Sequence, residues 1–72
     1  MNKYIIALAD LQVGEVWNQI ISATSLSDCK DKLTDFITSE YDLDPTNDWT
    51  DFIEECNAND ILIGTIEDIE TL

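Results

Sequence analysis

The sequence contains no arginine and no histidine, and only three lysines stand against 16 acidic residues in its 72 positions. The chain therefore lacks the bases and cationic groups that most nucleophilic and phosphoryl-transfer mechanisms use. It also has no G-x-G-x-x-G, P-loop or C-x-x-C motif. Its many acids make accidental carboxylate pairs common, and a chain this small offers little concavity for an active site. We expect a protein that is not an enzyme and uses no cofactor.

Long hydrophobic runs are also missing. The apolar run after Lys3 ends before Asp10, whereas a transmembrane helix needs about 20 apolar residues and the core of a signal peptide about 7 to 15. The run is better explained as a buried strand. We expect a cytoplasmic protein that does not enter a membrane.

Cysteine is scarce as well, with two residues in the chain. Cys29 and Cys56 lie at apolar positions of two helical patterns, where a free thiol behaves as a small buried hydrophobe. A disulfide would require an oxidising compartment, and a reactive thiolate would require a cationic neighbour. The sequence indicates neither, so we predict two buried, free thiols.

Hydrophobic residues make up 44% of the chain and include six aromatics, a content too apolar for a disordered protein. This composition therefore predicts that residues 1–72 fold as a single small domain. Residues 3–9 are apolar on both faces of a strand, which is typical of the centre of a sheet. Residues 15–23 form a second strand, joined through a turn at Gly14 as a hairpin, and residues 61–66 form a third strand that Gly64 weakens.

Two helices are predicted between the second and third strands. Ser25 and Asp28 make an S-x-x-D capping pattern, and the apolar spacing that follows predicts a helix to about Glu40. Pro45 favours a loop over residues 42–47. A second apolar stripe begins at Trp49 and recurs at i+3, i+4 and i+7. The order β-β-α-α-β predicts an α+β fold, with strand order 2-1-3, both helices on one face of the sheet and the direction of the third strand left open.

The loop between the helices has an alternation of oxygen ligands like that of an EF-hand: Asp42, Asp44, Thr46 and Asp48. The pattern fails at its sixth position, which needs Gly and holds Asn47, and at its twelfth, which needs Glu and holds Ile53. We predict a turn with no dedicated metal site, while a weak Ca²⁺ or Mg²⁺ site stays an alternative.

Charge is distributed unevenly along the chain. Residues 1–32 carry four acids and three lysines, a net charge of −1, whereas residues 33–72 carry twelve acids and no base, a net charge of −12. A field of this sign repels nucleic acid and anionic membranes and attracts basic protein surfaces. Solubility alone is the simpler explanation of the charge, but solubility does not require forty residues without a base.

The candidate binding residues are the acids that run from the second half of the first predicted helix through the loop onto the second helix, and we call them the acidic ridge. They are Asp35, Glu40, Asp42, Asp44, Asp48, Asp51, Glu54 and Glu55. Carboxylates three or four positions apart on a helix have Cβ atoms about 5 to 6 Å apart, which is on the scale of successive phosphates. Trp17, on the second strand, is a further candidate because partly exposed Trp is favoured as a binding anchor.

In size and charge the chain resembles the small acidic inhibitors that phages and mobile elements encode. These include DNA-mimic anti-restriction proteins, uracil-DNA glycosylase inhibitors and some anti-CRISPR proteins. The resemblance includes no shared motif, so no functional residue is carried over. It implies a phage-type inhibitor that occupies the basic surface of a nucleic-acid-binding protein in the host cytoplasm. The alternative is a structural or adaptor module, a homodimer or an assembly component, that binds through the hairpin and an exposed strand edge.

Overall fold

The computed structural model describes residues 1–69 of the chain. Its elements are β1 (Asn2–Asp10), β2 (Glu15–Ala23), α1 (Leu26–Tyr41), α2 (Trp49–Ala58) and β3 (Ile61–Asp68). The predicted order β-β-α-α-β is confirmed. The bounds of β2 agree with the prediction, and β1 and β3 extend one or two residues beyond the predicted ranges.

The three strands form one sheet in the order β2-β1-β3, as predicted. β1 is antiparallel to both neighbours, which settles the direction of β3. The β1–β2 register pairs Lys3 with Ser22 at one end of the sheet and Asp10 with Glu15 at the other. Asp10 also pairs with Ile61, the first residue of β3.

One face of the sheet and the two helices enclose the core. α1 packs over β2 and α2 packs over β3, because each helix has one apolar stripe that must be buried. The fully buried large side chains are Phe52, Ile6, Leu8, Leu33, Ile37, Ile61, Cys29 and Cys56. The predicted stripe of α2 faces the core, and so do Cys29, Leu33 and Ile37 of the stripe predicted for α1. Leu26 and Phe36, which the same apolar spacing also placed in the α1 stripe, are exposed, because they lie at the margin of the buried face. Both cysteines are buried and free, as predicted.

The second face of the sheet is not covered by any element within residues 1–69. β1 is apolar on both faces, but Ala7 on its second face is exposed and Ile5 and Ala9 are half-buried. On the flanking strands, Val16 is 79% exposed and Leu62 is 45% exposed. The central position of β1 is correct, yet two helices on one side leave half of its apolar surface open.

The N-terminus of α1 has the predicted capping pattern. The backbone N–H of Asp28 donates to Ser25 Oγ at 3.1 Å, and the N–H of Thr24 donates to Asp28 Oδ2 at 2.9 Å. The Thr24 N–H bond is the main cause that holds the pKa of Asp28 below its ordinary value of 3.8, and Lys32 Nζ, 3.4 Å away, acts in the same direction. The cap is therefore stronger when Asp28 is ionised.

Replacing Asp28 with Asn is expected to lower the free energy of unfolding at neutral pH. A depressed folded-state pKa contributes stability above pH 3.8 that is lost as the pH falls through the folded value. The loss of unfolding free energy in Asp28→Asn should therefore disappear in acid, as urea denaturation at a series of pH values would measure.

Ser25→Ala, which removes the other half of the cap, should lower the free energy of unfolding by about 1 kcal/mol.

Asp31→Asn is the matched control, because Asp31 is exposed on the same helix and loses the same charge. It should leave stability nearly unchanged at every pH. A pH-independent deficit for Asp28→Asn would contradict the assigned capping role.

Candidate protein-binding surface

The topology brings the hairpin turn and the C-termini of both helices to one end of the sheet, which we call the hairpin end. The Leu11 N–H donates to the carbonyl oxygen of Asp60 at 2.8 Å, which holds the C-terminus of α2 against the turn. Tyr41, the last residue of α1, lies beside Asp10 at the end of β1, and both side chains line one depression of the surface. The helices therefore run in the same direction, toward this end.

Five acidic residues of the hairpin end form a surface that we call the acidic pole: Asp10, Glu15, Glu40, Asp42 and Asp60. Asp10 and Glu15 pair across the hairpin, Glu40 lies in the last turn of α1, and Asp42 caps that helix. Asp60 follows α2. Neither helix has a basic residue in its last turn, so the negative ends of two helix dipoles add to the carboxylates.

Tyr41 lies among the carboxylates of the acidic pole. Its pKa is raised from the ordinary value, first by burial, then by the charge of Asp10 and the hydrogen bond to it, and then by the charges of Glu15 and Glu40. Asp10 itself is 8% exposed and accepts a hydrogen bond from the Gln12 N–H at 3.0 Å. Three carboxylates from three elements thus converge on one side chain.

All three lysines lie at the opposite end of the molecule. Lys3 is paired with Ser22 in the sheet, and Lys32 Nζ donates to the carbonyl oxygen of Ser22 at 2.8 Å. Lys30 Nζ is 5.3 Å from the centre of the Trp49 ring, at the start of α2. A nine-residue strand spans about 25 to 30 Å, while salt screens charges over about 8 Å at physiological ionic strength. The lysines therefore leave the acidic pole unneutralised.

The structure divides the predicted acidic ridge among several surfaces. Two members, Glu40 and Asp42, belong to the acidic pole. Asp35 is exposed on α1 and Asp44 is exposed in the loop. Asp48 caps α2 by accepting the Asp51 N–H at 2.8 Å, and it shares a shallow groove between the helices with Lys30. The ridge therefore has a base beside it at the start of α2.

The other predicted residues lie on α2 and β2. Asp51 and Glu54 are exposed, whereas Glu55 is half-buried and accepts a hydrogen bond from Asn59 Nδ2 at 3.2 Å. Trp17 lies on the covered face of the sheet, half-buried against the core. Its position favours a packing role over that of an exposed anchor.

Sequence reasoning did not select Asp10, Glu15, Asp60 or Tyr41 for this surface. It divided the chain at residue 32 and so separated the acids of the hairpin from those of the helices. The signal was nevertheless present, because a hairpin over residues 3–23 necessarily returns Glu15 to the side of Asp10. If both helices are also predicted to end there, Glu40, Asp42 and Asp60 join Asp10 and Glu15 in one acidic group.

The described part of the chain, residues 1–69, has neither a metal-binding cluster nor a membrane-spanning helix. No three His, Cys, Asp or Glu residues in this part of the chain are grouped so that they could hold a metal ion. Neither helix is long and apolar enough to cross a membrane.

Comparison with known proteins identifies no relative. No protein-family model matches the chain, and no curated protein or solved structure is detectably similar to it. The fold and the acidic pole are therefore the basis for assigning a function.

Proposed function

We propose that this chain is a non-enzymatic binding protein whose acidic pole occupies the basic surface of a nucleic-acid-binding protein, as a phage-type inhibitor does. The supporting observation is the uneven distribution of the bases. Five acids and two helix C-termini lie at one end without a lysine, whereas all three lysines lie at the other end, where Lys32 and Lys30 have Asp28 and Asp48 beside them. An arrangement that served only solubility would not require one end to lack bases.

The acidic pole has the negative charge that the basic surface of a nucleic-acid-binding protein attracts. Duplex DNA carries one negative charge per about 1.7 Å of helix axis, and its partners meet that charge with clusters of Lys and Arg. Carboxylates from several elements at the hairpin end offer the same sign of charge. Because the lysines lie at the far end, the field of the molecule also orients the chain with the acidic pole toward a basic target, which speeds association.

The net charge of −13 also decides which partners are unsuitable. Phosphate groups of nucleic acids and of anionic lipid surfaces are repelled by a surface of the same sign. The chain is therefore expected to compete with nucleic acid for a protein and not to bind nucleic acid itself.

The test neutralises the acidic pole without changing side-chain size. The pole variant carries Glu15→Gln, Glu40→Gln, Asp42→Asn and Asp60→Asn, and leaves the buried Asp10 unchanged. Asn is chosen at Asp42 and Asp60 because their φ angles of 53° and 61° lie in the left-handed region that Asn tolerates. The control variant removes four exposed acids elsewhere, with Asp31→Asn, Asp35→Asn, Asp44→Asn and Glu54→Gln.

The immobilised chain is used to capture proteins from a nuclease-treated bacterial lysate. Basic nucleic-acid-binding proteins should be retained, should be released by added duplex DNA, and should bind more weakly as salt rises. The pole variant should weaken binding of the captured protein at least about tenfold, or about 1.4 kcal/mol. The control variant has the same net charge and should bind nearly as well as the parent chain. Equal weakening by both variants, or capture that DNA does not compete, would overturn the proposal.

An adaptor is the second candidate function, and the outer edge of β2 favours it. β2 has nine residues, and residues 16–23 carry no charge. Edge strands are usually protected by Lys, Pro or a bulge. Within residues 1–69, the protection of this kind at β2 is the contact of Lys32 with the carbonyl oxygen of Ser22. Binding that survives in the pole variant but is lost with Gln19→Lys, which puts a charge on the edge strand on the covered side of the sheet, would favour the adaptor.

A further inference from the structure

The uncovered face of the sheet, which we call the open face, has side chains of different size arranged in rows across the strands. The register aligns Val16, Ala9 and Leu62 in one row across the strands, and Ile20, Ile5 and Glu67 in another. Between these rows lies Ala7, which pairs with Asn18 on β2. Two rows with large side chains therefore flank a row with a small residue at its centre.

A bulge in β3 deepens the middle row. Ile6 pairs with Ile66 but Leu8 pairs with Ile63, so β3 places two residues, Gly64 and Thr65, opposite Ala7. A Cβ added to Gly64 would lie 3.2 Å from the Ala7 carbonyl oxygen, a distance tighter than a side chain normally has. The absence of a side chain there keeps the groove open, with Val16 and Leu62 beside it.

The charge of the open face differs from that of the rest of the molecule. Of the charged residues in the three strands, Asp10 and Glu15 pair on the covered face and Asp68 pairs there with the buried Tyr4. Lys3 and Glu67 are the charged residues of the strands on the open face, and their charges cancel. Apart from Glu67, the acids of residues 1–69 lie on the helices, in the loops or on the covered side.

This distribution of charge favours a second copy of the chain as the molecule that covers the open face. A basic partner is drawn to the acids on the helical side and finds no net charge on the open face. Two copies each carry a net charge of −13, and they repel each other less with the open faces together than with the helical sides together, because the open face has no net charge. Packed sheets lie about 10 Å apart and a helix layer lies behind each, so the acids of the helices in the two copies are then farther apart than the screening length of about 8 Å.

The size of the open face allows a dimer of modest strength. A standard interface buries about 800 Å² on each partner, which is roughly one-sixth of the 4627 Å² surface of this chain. The molecule measures 33 × 27 × 17 Å along its principal axes, so its broad sides are large enough. The rows of large side chains on one copy can enter the groove of the other, as an isologous two-fold contact requires.

We propose that the open face is the contact surface of a homodimer, in which two sheets pack face to face with their helices outside. This dimer does not depend on the proposed function of the acidic pole. It also differs from pairing at the β2 edge, because the contact is made by side chains of the sheet face.

The test is sedimentation equilibrium of the whole chain over roughly 10 µM to 1 mM, the range suited to an interface of this size. The parent chain should approach twice its 8.2 kDa mass, and salt should strengthen the dimer by screening the remaining repulsion. Leu62→Lys should raise the dissociation constant at least about tenfold. Leu26→Lys is the matched control, because Leu26 on α1 is 46% exposed against 45% for Leu62 and the charge change is the same. Leu26→Lys should leave the dimer intact.

A second measurement covers the case in which Leu62→Lys disturbs folding. Methyl NMR signals of Ile5, Ile20 and Leu62 in the parent chain should shift on dilution, while those of Leu26 and the buried Leu33 should not. A chain that stays monomeric at 1 mM, a dimer unaffected by Leu62→Lys, or dilution shifts confined to other surfaces would overturn the proposal. The pole variant should dimerise normally, so failure of one proposal is distinguishable from failure of the other.

Discussion

Cys29 and Cys56 are expected to react with a thiol reagent at least about a thousandfold more slowly in the native protein than in the unfolded chain. Their side chains are 0% and 1% exposed. Burial, helped by the charge of Glu55, raises the pKa of Cys56 to about 11, and burial also raises the pKa of Cys29. The thiolate is the reactive form, so both access and ionisation protect the native thiols.

The size of the effect follows from the stability of a small domain. At about 0.05 to 0.15 kcal/mol per residue, a chain of 72 residues has an unfolding free energy of roughly 4 to 11 kcal/mol. Reaction that requires unfolding is slowed by about tenfold for each 1.4 kcal/mol. The lower figure already gives a factor of about a thousand.

The measurement is the rate of labelling by a chromogenic disulfide at pH 8, with and without concentrated guanidinium chloride. Ser27→Cys supplies an internal control, because Ser27 is exposed on α1 and its replacement should label rapidly in the native protein. Fast labelling of the two native thiols would mean that the helix stripes face water. Since the usual pKa of a thiol is 9.0 and that of folded Cys56 is about 11, its contribution to stability should be lost as the pH rises from 9 toward 11.

The fold was largely predictable because its elements are encoded by local patterns. The alternation through Tyr4, Ile6 and Leu8 and the stripe that starts at Trp49 each identify an element and the face it buries. The direction of β3 was not predictable, because it depends on the path of the loop between the helices. The loop has seven residues, 42–48, which span about 23 to 25 Å when extended, so it returns the chain beside α1 and lets α2 run in the same direction.

The candidate site was only partly predictable, because charge counted along the chain differs from charge in space. The hairpin brings Asp10 and Glu15 beside Glu40 from a segment with a net charge of only −1. Lys30, from the same segment, lies instead over Trp49 at the start of α2. Both placements depend on tertiary structure, and neither has a signal in the local composition.

Phe52→Ala is expected to have the largest effect on stability of any single change considered. Phe52 is 1% exposed at the centre of α2, and its ring centroid lies 5.4 Å from that of Trp49. Within residues 1–69, Cys56 is the other fully buried side chain of α2, so this short helix depends strongly on Phe52 for its attachment to the sheet. Truncating a buried Phe costs about 3 to 5 kcal/mol, a large share of the roughly 4 to 11 kcal/mol available.

Phe36→Ala provides the matched control, because Phe36 on α1 is the same residue type but is 38% exposed. Urea denaturation followed by circular dichroism should give a loss of about 1 kcal/mol or less for Phe36→Ala, since exposed positions contribute little. For Phe52→Ala the midpoint should fall so far that much of the protein is unfolded near 37 °C. Equal losses of unfolding free energy in the two variants would mean that Phe52 does not anchor α2 to the sheet. The packing that directs α2 toward the acidic pole would then be unexplained.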